Sequence, residues 1–113
     1  MNVMTDFIRI GTQTARHKSG YSIFWSGRYF LAYKELDEIY KVYCEHILIT
    51  DKNEDALCIY TSTLYDENEK EIQTNEEERK TIVNRVALGA SFLIDFIIIL
   101  SDRNGNRTTL SKY

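Results

Sequence analysis

The stretch VALGASFLIDFIIIL, Val86–Leu100, is the most hydrophobic part of the chain, and it contains one charge, Asp95. Read as one element it would be a membrane span. Read as two, it is a helix followed by a buried strand. A spanning helix needs about 20 apolar residues in succession. Here Arg85 and Asp102 bound a run of sixteen positions, and Asp95 interrupts it. A charge at the middle of a bilayer costs about 3 kcal/mol on insertion scales. The composition also changes inside the run. Val86–Phe92 continues a helical pattern, whereas IDFIIIL is rich in β-branched residues and suits a strand covered on both faces. The stretch therefore predicts a helix end joined to a strand start. Asp95 shares a strand face with Ile97 and Ile99 and is expected at the sheet end, hydrogen-bonded or exposed.

Upstream of this junction, Thr74-Asn75-Glu76-Glu77 has the spacing of a capping box, with Thr74 as N-cap and Glu77 at the third helical position. The glutamates that follow suit the positive end of the helix dipole. Ile82, Val83, Val86, Ala87 and Ala90 then recur on one face. Gly89 either ends the helix or sits inside it where the backbone must approach the sheet.

The rest of the chain reads as strands and turns. With no proline in 113 residues, Gly, Asn, Asp and Ser carry the punctuation. MTDFIRIG gives a first strand around Phe7, Ile8 and Ile10, and Thr12–Gly20 reads as a polar loop. YSIFW and YFLAY flank Ser26-Gly27-Arg28 as a hairpin. Glu38–Thr50 is a longer strand, with Tyr40, Val42, Cys44, His46 and Leu48 on the face expected to meet the core. DKNED turns the chain into ALCIYTSTLY, Ala56–Tyr65, the antiparallel return. A turn centred near Asn53 would set Cys44 opposite Ser62, with the two thiols too far apart along the ladder for a disulfide. At the C-terminal end, Asn104-Gly105 is a hairpin turn before the last strand, RTTLS. The expected architecture is a single α+β domain spanning residues 1–113: an antiparallel, twisted sheet of about six or seven strands with one main helix packed on it.

Composition narrows the function classes. Hydrophobic residues make up 43% and charged residues 27% of the chain, which is ordinary for a globular domain. A net charge of −3 weighs against non-specific nucleic-acid binding. The N-terminus, MNVMTDFIRI, lacks the basic and apolar regions of a signal peptide, so a cytoplasmic location with reduced thiols is expected. Cys44 and Cys58 come singly and match no zinc pattern. No cofactor or metal is expected.

Candidates for catalysis are few. His17 lies in the solvated basic run Arg16-His17-Lys18. His46 is two residues from Cys44, and a Cys/His nucleophile pair needs such proximity. Neighbours of this kind on an apolar strand face are, as a rule, simply packed. Paired carboxylates sit in a connector rather than a cleft, and the glycines are isolated, so no phosphate-cradling loop is present. Tyr60–Tyr65 contains no basic residue, unlike the aromatic strands of RNA-binding sheets. What stands out is charge. Asp66, Glu67, Glu69, Glu71, Glu76, Glu77 and Glu78 fall in thirteen positions with Lys70 the one nearby offset before Arg79. Such a run is either a solvated connector or a patch that steers a basic partner, with Tyr60 and Tyr65 as aromatic anchors.

The order of elements resembles that of bacterial immunity proteins from contact-dependent growth inhibition and related polymorphic-toxin systems. The matching pieces are AYKE (Ala32–Glu35), CEHILI (Cys44–Ile49), CIYTSTL (Cys58–Leu64), EEERKTIVNRV (Glu76–Val86) and IDFIII (Ile94–Ile99), about two-thirds of the chain. The final RNGN turn and RTTLS strand depart from that layout. The resemblance implies a non-enzymatic inhibitor, a monomer or weak homodimer, that binds a cognate toxin protein in the cytoplasm. If the toxin is a basic nuclease, the acidic patch imitates phosphate, and no direct nucleic-acid or membrane contact is involved. The expected partner-binding residues are Tyr60, Tyr65, Asp66, Glu67, Glu69 and Glu71. The rival reading is a small ligand-binding or enzymatic domain with a pocket between sheet and helix, served by His46 and Cys44.

Overall fold

A computed structural model describes residues 6–110, so the expectations resting on Met1–Thr5 and Ser111–Tyr113 lie outside the described residues. Its centre is the junction at Ile94–Phe96. Helix α1 spans Glu76–Leu93, its C-cap Ile94 is already extended, and the Ile94 N–H reaches the Ala90 carbonyl at 3.0 Å. Strand β9 follows at Ile97–Ser101. Asp95 is exposed between them, at the sheet end. No helix among the described residues is long and apolar enough to cross a membrane.

The helix begins one residue later than the capping box suggests. Asn75 is the N-cap, and its side-chain oxygen accepts from the Glu78 N–H at 2.7 Å. Asn outranks Thr in this role because its short carbonyl arm reaches the orphan amides directly. Ile82, Val83, Val86, Ala87, Ala90 and Leu93 form the buried face. Gly89 lies inside the helix for a steric reason. A Cβ built there would stand 2.5 Å from Cγ1 of Ile23, far inside van der Waals contact.

Among the described residues ten strands form the sheet, more than the six or seven expected. In chain order they are β1 (Phe7–Ile10), β2 (Thr14–His17), β3 (Ser22–Trp25), β4 (Phe30–Glu35), β5 (Glu38–Ile49), β6 (Glu54–Tyr60), β7 (Leu64–Tyr65), β8 (Glu71–Ile72), β9 and β10 (Arg107–Thr109). Neighbours run β1-β2-β3-β4-β5-β6-β9-β10, with β7 joined to β5 and β8 to β7. All pairings are antiparallel except β6 with β9, which are parallel and linked through α1. One extra strand is TARH, read from sequence as loop. It pairs with both β1 and β3 and buries Ala15, so tertiary pairing overrides its polar composition.

The long strand β5 joins two half-sheets. Its first half pairs with β4, its second half with β6, and Lys41 pairs with Tyr65 of β7. Tyr40, Val42 and Cys44 pack in the core as expected, but His46 and Leu48 are exposed. A strand of 12 residues reaches about 40 Å. The helix of 18 residues covers about 27 Å, so β5 outruns its cover.

Register brings a further correction. Cys44 lies opposite Ile59, not Ser62, because Ile49 pairs with Glu54 and the turn closes over Thr50–Asn53. Asn53 takes the left-handed conformation there, at φ 52°. The three-residue slip is odd, so it also exchanges the faces of β6. Cys44 points to the helix side and Cys58 to the other side, and both thiols are free and buried. Opposite faces, rather than distance along the ladder, keep them apart.

Candidate functional site

The helix covers one face of the sheet, and among the described residues the other face has no second layer. That open face carries Phe30, Tyr43, Tyr60, Tyr65, Ile47, Ile97 and Ile99. The rings interlock: Tyr43 lies 5.4 Å from Tyr60 and 5.7 Å from Phe30, and Phe30 lies 5.3 Å from Tyr65. Small residues sit beneath larger flanking ones. Ala56, between Ile47 and Ile97, and Cys58, between Glu45 and Ile99, are both fully buried. The Tyr60 hydroxyl donates to Glu45 at 2.6 Å, fixing the ring and raising the phenol pKa above its ordinary value.

Beside these rings stands the acidic hairpin of β7 and β8, where Tyr65 pairs with Glu71. Its carboxylates have different duties. Asp66 Oδ1 accepts the Asn68 and Lys70 amides, at 2.8 and 3.0 Å, and holds the turn. Glu69, in the left-handed conformation at φ 65°, accepts from Lys41 at 3.2 Å. That lysine is only 8% exposed, so Glu69 latches the hairpin onto the open face through a nearly buried charge. Glu67 and Glu71 are exposed and make no ion pair among the described residues. The acidic run is therefore not one uniform patch. Glu76 pairs with Lys80 on the first turn of α1, and Glu78 adds negative charge near Tyr40, whose phenol pKa is raised by burial and then by Glu38.

The remaining candidates separate. Burial pushes the Cys44 thiol up to about 12, which leaves it protonated at neutral pH and unfit as a nucleophile. His46 is exposed, bonds Asp55 at 2.8 Å and stacks on Phe96 at 5.0 Å. His17 packs against Tyr21 at 4.6 Å and bonds Ser19 at 2.8 Å. Among the described residues no group of His, Cys, Asp and Glu side chains could hold a metal ion. A groove of about 760 Å³ runs between α1 and the β9–β10 edge, lined by Arg79, Asn84, Leu100 and Thr108, and includes neither His46 nor Cys44.

Residues that sequence reading passed over are Lys41, Tyr43 and Glu45, on the second face of β5, and Arg103 and Arg107, which flank the Gly105 turn. Alternation along β5 carried the signal for the first three. Nothing local pointed to the arginines, because β9 returns to the tyrosines only through the parallel crossover. No family model, curated protein or solved structure matches this chain.

Proposed function

We propose that this protein is a non-enzymatic inhibitor of the immunity-protein kind, which neutralises a basic toxin domain by binding it. One observation carries the reading: half-buried aromatic anchors, Tyr60 and Tyr65, stand beside Glu67 and Glu71, two exposed carboxylates without ion pairs among the described residues. Aromatic residues at the centre of a patch supply affinity, and charged residues at its rim supply steering. The open sheet face offers the first and the β7–β8 hairpin the second. Glu69 and Asp66 act one step back, since they shape and anchor the hairpin.

The direct test mixes the purified chain with the product of a toxin gene found beside its own. A complex at micromolar concentration and rescue of toxin-expressing cells are expected; absence of both sinks the reading. The sharper test reverses Glu67 and Glu71 to Lys while leaving Glu69, whose loss would strand Lys41. Association should slow by about tenfold or more, and added salt should slow the parent protein in the same way. Binding indifferent to salt would reduce the hairpin to a solvated surface.

A further inference from the structure

The open face ends in a cleft of about 510 Å³, where the end of β6, the Thr61–Thr63 bend and the Asp102–Asn106 turn meet. This volume is within the range of sites for small molecules, about 300–1,000 Å³. Tyr43, Tyr60 and Tyr65 form one wall, and Ser62, Arg103 and Arg107 contribute polar groups around it. The tyrosine wall is set in advance, because Glu45 holds the Tyr60 hydroxyl and Phe30 packs on Tyr65. Arg103 and Arg107 are exposed, and neither side chain makes a hydrogen bond or ion pair among the described residues.

Charge in the cleft is mixed but ordered. Asp102 also lines it, yet its carboxylate is turned to the loop. Its Oδ1 accepts the Asn104 and Asn106 amides at 2.9 Å each, and its Oδ2 accepts the Asn106 side chain at 3.2 Å. Glu45 is engaged by Tyr60. Two guanidiniums with open donors thus face three aromatic rings. Guanidiniums bind carboxylate or phosphate by paired hydrogen bonds, and phenol rings take up a planar ring by stacking or edge contact. Glu71, the cross-strand partner of Tyr65, stands close by and lines a neighbouring pocket together with Arg103. The negative charge there disfavours a long polyanion more than a compact anion seated between Arg103 and Arg107.

We propose that this cleft binds a small planar anion, an aromatic ring bearing one phosphate or carboxylate, with the ring against the tyrosines and the anionic group at Arg103 and Arg107. The cleft shares Tyr60 and Tyr65 with the partner reading, but its anion-binding groups, Arg103 and Arg107, are not the carboxylates Glu67 and Glu71 on which steering of a partner rests.

The test titrates the 15N-labelled protein with phenyl phosphate, benzoate, phenol, inorganic phosphate and a short oligothymidylate. Phenyl phosphate or benzoate should shift the amide signals of Tyr60, Tyr65 and Gly105 saturably, with a Kd of about 1 mM or tighter. Which of the two binds more tightly identifies the anionic group. Phenol and inorganic phosphate should each bind more weakly, because each lacks half of the ligand. Arg103→Gln with Arg107→Gln should weaken binding by about tenfold or more, with unchanged circular dichroism. The variant Glu67→Lys, Glu71→Lys should retain it, whatever it does to partner binding. The proposal is overturned by no saturable shift at about 10 mM, by inorganic phosphate binding as well as phenyl phosphate, by indifference to the arginine substitutions, or by tighter binding of the oligonucleotide.

Discussion

The two faces of the sheet are built from similar residues and held by different means. On the helix side, Ile23, Leu31, Val42, Ile59 and Ile98 are almost wholly removed from water by α1, and packing is close enough to require a glycine at 89. On the open side there is no second layer among the described residues. There the burial of Ala32, Ala56 and Cys58 depends on larger neighbours in the same sheet. Fixed polar links, Tyr60 to Glu45 and Lys41 to Glu69, hold the long side chains in place. One face is stabilised by layer packing. The other keeps its rings ordered and accessible, which is what a binding surface needs.

Substitutions on each face can break this contrast. Leu31→Ala, at a fully buried position under the helix, should cost about 2–5 kcal/mol in chemical denaturation. Gly89→Ala should cost about 1–3 kcal/mol despite the better helix propensity of alanine, because Ile23 has to yield. A neutral or stabilising result would show that the helix–sheet contact is looser than described. On the open face, Tyr60→Phe removes one hydrogen bond and keeps the ring, so a loss of about 1 kcal/mol is expected. The smallest effect belongs to a turn on neither face. Leu36 is exposed at φ 56°, and Leu36→Asn should stabilise by about 0.5–1 kcal/mol by relieving left-handed strain.

Alkaline titration tests the polar links together. Burial first, and then the bond to Glu35, raises the Tyr33 phenol to about 12. Tyr60 is raised as well, chiefly by its bond to Glu45. A raised folded-state pKa favours the neutral phenol in the native protein. Its contribution is therefore complete below the unfolded value near 10 and is lost as pH rises from there toward about 12. Tyrosinate absorbance should lag behind that of the unfolded chain across this window. Coincident titration curves would contradict the described hydrogen bonds.

Much of the fold was legible because its signals are local. The break between Phe92 and Ile94, the acidic first turn of α1, the Ser26-Gly27 turn and the long strand β5 each follow from spacing or turn chemistry within a few residues. The candidate site was legible in part. Tyr60, Tyr65 and the acidic residues were visible as a cluster in sequence, but their division of labour was not. Nothing near Glu69 announces Lys41, twenty-eight positions away. Nothing near Tyr60 announces Arg103 and Arg107.

By itself the sequence determined that the chain is a helix and strands, and that the run 86–101 breaks into a helix end and a strand rather than one spanning helix. It also determined that seven carboxylates gather from Asp66 to Glu78, ahead of α1 and in its first turn. Periodicity and capping act over one or two turns, and those ranges lie inside a single segment. Tertiary structure decided the register of β6 on β5, and with it which face Tyr60 and Cys58 occupy. It also decided the parallel return of β9, which brings Arg103 and Arg107 to the tyrosines, and the use of Gly89 as a contact point. Strand pairing has a period of two, so a shift of a single residue inverts every side chain. Only the packing of the whole sheet against α1 selects between the two outcomes.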